Sequence, residues 1–97
     1  MQNATNEDRK RLYKAFIGLR TEEECEAFLT DLFSISELQS AEQRLKIAKM
    51  LSEKKTSQYV SEETGASTAT VSRVNRCLKY GTGGYKDVLE KLNKGNE

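Results

Sequence analysis

The 97-residue chain reads as an all-α protein. Three observations carry that reading. Proline is absent, apolar residues recur at the three-to-four spacing of helices, and the apolar–polar alternation of strands is missing. At this length the core is thin, because such a domain buries only about 60–65% of its unfolded surface. Dimerisation is a common way for small helical domains to make up the deficit. The chain is read as a single helical domain, 1–97, with no repeats and no linker long enough to divide it.

Six helices follow in order. Leu12, Tyr13, Phe16, Ile17 and Leu19 predict a first helix from about Asn6 to Arg20. Thr21 followed by Glu24 is a capping-box pattern, and Cys25, Phe28, Leu29, Leu32 and Phe33 form one apolar stripe behind it. Cys25 reads as a buried small hydrophobe in that stripe. A third helix starts at Ser34 or Ser36 and ends near Glu53–Lys55, with Leu38, Ala41, Leu45, Ala48 and Leu51 as its inward stripe and Ile47 beside them. Thr56 caps a short helix running to about Thr64, which Gly65 breaks. A helix from about Ser67 to Tyr80 follows. "GTGG" at 81–84 is read as a flexible break, "YKDVLEKL" from Tyr85 as a last short helix, and "NKGNE" as a fraying tail. Tyr80 and Tyr85 are read as packing residues. By element, 1–55 holds the first three helices, 56–80 the glycine-broken helix pair, and 81–97 a C-terminal helix and tail.

The net charge of +1 conceals a strong asymmetry. Thr21 to Gln43 holds seven acids (Glu22, Glu23, Glu24, Glu26, Asp31, Glu37, Glu42) and no base. Arg44 to Lys55 holds five bases (Arg44, Lys46, Lys49, Lys54, Lys55) against Glu53. Ala66 to Tyr80 holds Arg73, Arg76 and Lys79 with no acid, which suits a basic face.

Several function classes fall away. With no histidine, imidazole acid–base chemistry is excluded. Cys25 and Cys77 lack the spacing of a zinc site, so no metal is expected. "GTGGYK" follows a helix, not a strand, and lacks the GK[ST] ending of a phosphate loop, so no enzyme is expected. No secretory leader or membrane-length apolar run is present, which implies a reduced, cytoplasmic protein with no membrane partner.

What remains is the glycine-broken helix pair. Val60 lies five residues before Gly65, and Val71 and Val74 lie six and nine after it. With Leu78, the latter two form an inward stripe, and Ser61 is small where the helices should cross. This is a helix-turn-helix layout. Its outward residues are Ser67, Thr68, Ala69, Ser72, Arg73 and Arg76; these, with Thr70 and Lys79, are the candidate DNA contacts. Hydroxyls and methyls suit base edges and phosphates, and arginine can grip guanine in the major groove. Ser57 and Gln58, with Lys54 and Lys55, are candidate phosphate contacts. The partner expected is double-stranded DNA; the alternative is a helical protein-interaction module without DNA binding.

"LFSISELQSAEQRLKIAKML…TSQYVSEETGASTATVSRVNRCLKYG" resembles the tryptophan repressor family, and is closer still to its small YerC/YecD-type members. The similarity covers about Leu32 to Leu92 and is most specific in "GASTATVSRVNRCLKYG". The S-x-x-T-V-S-R core also resembles recognition helices of lactose-repressor-like regulators. The resemblance implies a six-helix fold, an intertwined homodimer with 1–55 as its dimerisation helices, acting as a transcriptional repressor, and two recognition helices about 34 Å apart on a palindrome-like site. It implies an effector pocket holding Arg44 and Arg73, the positions that sandwich the corepressor ring in the family. Val74 stands where the family has glycine, and Cys77 where it has a serine that holds the ligand's amino group. Both changes argue against tryptophan as effector. No cofactor is expected, and a different small corepressor is the one ligand left open.

Overall fold

In a computed structural model, residues 5–95 are described, and the chain divides into two compact units, Met1–Ile35 and Ser36–Glu97. Among the described residues, six helices account for the regular structure: α1 Asn6–Ile17, α2 Glu22–Leu32, α3 Ile35–Ser52, α4 Ser57–Thr64, α5 Thr68–Tyr80 and α6 Gly84–Gly95.

In the first unit, α1 opens on a full capping box. Thr5 Oγ1 accepts from the Asp8 N–H at 3.1 Å, and the Asp8 carboxylate accepts from the Thr5 N–H at 3.3 Å. The helix ends at Ile17 rather than Arg20, because the Gly18 N–H closes the last turn on the Lys14 carbonyl at 3.0 Å and the chain leaves the helix there. Thr21 caps α2 by accepting from the Glu24 N–H at 3.1 Å. The return half of the predicted box differs, since Glu24 Oε2 meets the Thr21 hydroxyl at 3.4 Å. Phe16 and Phe28 meet edge to face with ring centres 5.7 Å apart and so join α1 to α2. Neither helix contains a buried residue, and Cys25 is only half-buried.

The second unit has the core. Ile47, Ala48, Val60, Ala66, Val71, Val74 and Leu89 are buried together, with Met50, Leu51, Leu78 and Tyr85 packed against them. The inward face of α3 is therefore 47/48/51. Ala41 and Leu45 of the predicted stripe lie on an exposed flank, and Leu38 is half-buried. The buried cluster that Ile47 and Ala48 share with Val60, Val71, Val74 and Leu89 decides which of two adjacent stripes is covered.

The end of α3 is unusual. The Lys54 N–H donates to the Leu51 carbonyl at 3.0 Å, and the Lys55 N–H to the Met50 carbonyl at 3.2 Å. This is the double bond pattern of a Schellman cap, which places its αL residue at Lys54, with φ +69°. Glycine normally takes that place; a lysine there carries about 1–2 kcal/mol of steric cost.

α6 begins at Gly84, one residue before Tyr85, after an ordered turn in which the Gly84 N–H reaches Thr82 Oγ1 at 3.4 Å. Asn93, Lys94 and Gly95 of the predicted fraying tail are helical, while Asn96 and Glu97 lie outside the described residues. Tyr80, expected to pack, is 82% exposed on the last turn of α5. No helix among the described residues is long and apolar enough to cross a membrane.

Candidate nucleic-acid interface

The α4–turn–α5 unit is held by its own chemistry. Thr56 Oγ1 accepts from the Tyr59 N–H at 3.1 Å and starts α4. Gly65 ends it with φ +74°, its N–H on the Ser61 carbonyl at 3.0 Å. Ser61, chosen for its size, does more: its hydroxyl donates to the Ala66 carbonyl at 2.7 Å across the turn. Thr64 Oγ1 donates to the Val60 carbonyl at 2.7 Å and accepts from the Ala66 N–H at 3.2 Å. Gln43 of α3 donates to the Thr64 carbonyl at 3.2 Å and anchors the turn to the core. Behind the turn, Val60, Ala66, Val71 and Val74 are buried, which fixes the rotation of α5.

That rotation leaves Ser67, Thr68, Ala69, Ser72, Arg73 and Arg76 exposed on one side of α5. Neither arginine is committed to an ion pair among the described residues. Ser57 and Gln58 are exposed on α4, and Gln58 Nε2 lies 3.3 Å from Glu62 Oε1. Lys55 stands over the Tyr59 ring at 5.7 Å.

Three predicted residues stand apart. Thr70 is half-buried rather than outward, because its position follows the 71/74 stripe, and its hydroxyl lies 3.0 Å from Ser67 Oγ. Ser67 itself is occupied as the N-cap of α5, accepting from the Thr70 N–H at 3.1 Å. Lys79 is exposed but sits about 16 Å along the helix from Thr68, where it lines a groove with Lys54 and Lys86.

Arg44, Arg73 and Cys77 do come together. With Thr70, Val74 and Tyr85 they line one cavity of about 190 Å³. Thr70 and Tyr85 were missed as lining residues, although the 70/73/74/77 spacing puts four of these side chains on one helical face. The cavity is smaller than the roughly 300–1,000 Å³ of most ligand pockets. Beside it runs an apolar groove of about 520 Å³ walled by Leu45, Cys77, Tyr85 and Val88.

Comparison with known proteins agrees with this geometry. Residues 7–93 match the model of the Trp repressor protein family. The uncharacterized protein YerC of Bacillus subtilis is 46% identical over 82 residues, which is 84% of this chain and 79% of that one. A crystal structure of a candidate Trp repressor from Staphylococcus aureus superposes with a TM-score of 0.87 at 39% identity, covering 92% of this chain and 89% of that one. A TrpR-like protein from Eubacterium eligens gives 0.85 at 44% identity, covering 92% and 91%.

Proposed function

From the premise that the chain belongs to the Trp repressor family, we propose that it is a sequence-specific DNA-binding regulator, a repressor working as a homodimer in the cytoplasm. One observation carries the reading most. Buried Val71 and Val74 turn an acid-free face of α5 outward, with Arg73 and Arg76 outside any ion pair among the described residues and small residues at its N-terminal end. Small residues let a base edge or phosphate approach the backbone, and a long arginine one turn later reaches a guanine. Ser57, Gln58, Lys54 and Lys55 add phosphate contacts from the entrance of α4. Lys79, on its distant groove, contributes to the field rather than to base contacts.

The homodimer is supported by the exposed apolar residues of α1–α3, among them Ile17 at 81% and Ile35 at 78%. Surfaces of this kind mark association sites. We infer an effector other than tryptophan: Val74 lines the cavity beside Arg44 and Arg73, and a volume of about 190 Å³ suits a smaller anion or no ligand.

Selection of binding sites from random duplex DNA tests the whole reading. A two-fold site with half-sites about one helical turn apart is expected. Arg73→Ala should weaken binding to that site by about 1–3 kcal/mol and relax one base position. Failure to enrich any sequence, with duplex binding absent at moderate salt, would return the fold to a protein-interaction role.

A further inference from the structure

On the flank where the last turns of α3 and α5 meet α6, a groove of about 770 Å³ combines two chemistries. Lys54, Lys79 and Lys86 stand along it, and half-buried Leu51 and Leu78, over buried Leu89, contribute its apolar lining. None of the three lysines has an ion-pair partner among the described residues. Glu90 is the acid in the lining, so the groove keeps a net positive field. Tyr80, 82% exposed, adds an aromatic edge. The charge at Lys54 is held at the groove by a left-handed backbone that glycine would adopt more cheaply.

The shape and chemistry select among anionic partners. Duplex DNA presents phosphates on a convex ridge and has no apolar body for the leucines. A small anion would leave most of so open a groove unfilled. A helical protein segment with acids on one face and leucine-like residues on the other satisfies both the lysines and the lining. We propose that this groove docks an acidic amphipathic segment of a protein partner. The recognition residues Ser67 to Arg73 take no part in the groove, so docking leaves them free. The inference does not rest on DNA binding.

Fluorescence anisotropy on the full chain tests it, using a labelled synthetic helix with glutamates on one face and leucines on the other. That helix should bind, and binding should weaken as salt rises. Lys86→Glu should lower its affinity about tenfold, and Lys86→Arg should hold it within about twofold. The same helix with lysines for glutamates should not bind. Random-sequence duplex should bind Lys86→Glu within about threefold of the wild type, the effect of a changed charge on the overall field. The proposal fails if the acidic helix does not bind, or if it binds Lys86→Glu as well as wild type. It also fails if Lys86→Glu loses duplex binding, which makes the groove a DNA surface. Binding confined to a peptide of this chain's own residues 21–33 overturns it too, by making the groove a contact between copies. A wild type that ignores duplex but binds the acidic helix would sink the DNA reading alone.

Discussion

The two compact units bury their apolar residues very differently. In Ser36–Glu97, seven residues from Ile47 to Leu89 are buried in one cluster. In Met1–Ile35, α1 and α2 have none, and their contact is an edge-to-face pair of phenylalanines. The second unit carries its own packing energy and can hold a recognition helix at a fixed rotation. The first has apolar side chains of similar quality, Tyr13, Phe16, Ile17 and Leu32, left 39–81% exposed. A site that must present arginines in register needs the packed kind of region, and a surface that must find a partner needs the exposed kind.

The sharpest way to break this contrast is to empty the core. Ile47 is 0% exposed. Ile47→Ala should cost about 2–5 kcal/mol of stability. Urea unfolding should show an earlier midpoint with an unchanged slope. A loss below about 0.5 kcal/mol would mean that the second unit is not the region that sets stability.

A middling effect, of opposite sign, sits at the edge of the same unit. Lys54→Gly removes the steric cost of a non-glycine αL residue, and should raise stability by about 1 kcal/mol. If Lys54 also touches a phosphate, the same change should lower the salt dependence of DNA binding by about one unit. Stability up and DNA affinity down in one variant would show strain retained for a charge. A stability loss would remove the strain argument.

How far these features could be read from residues follows from their range. Val60, Gly65, Val71 and Val74 were readable because a helix pair around one turn is fixed by spacing alone. The cap at Lys54 was not, since the Schellman signal is ordinarily a glycine and a lysine hides it. Leu45 against Ile47 was undecidable locally: adjacent stripes on α3 look alike, and the cluster of Val60, Val71, Val74 and Leu89 covers the one that holds Ile47. The orientation of Thr70 needed the structure for a simpler reason. It belongs to the acid-free stretch by composition, but its rotation on α5 turns it toward Arg44 and Tyr85. The turn of α5 that bears Tyr80 ends against Gly81, where an added Cβ would overlap the Cys77 carbonyl, and the described residues leave its ring 82% exposed.

The smallest effect on the protomer's own folding tests the other unit. Ile17 is 81% exposed, so Ile17→Ser removes almost no buried area and should change intrinsic stability by less than about 0.5 kcal/mol. Its consequence belongs to association. If a second copy covers α1, the wild-type melting point falls on dilution, because association adds to stability by mass action. In that case Ile17→Ser should weaken the dimer in sedimentation by about tenfold, the worth of one desolvated aliphatic side chain, while helicity at high concentration stays the same. A wild type whose melting point ignores concentration would leave Ile17 facing water. The exposed apolar residues of the first unit would then need an occupant other than a second copy.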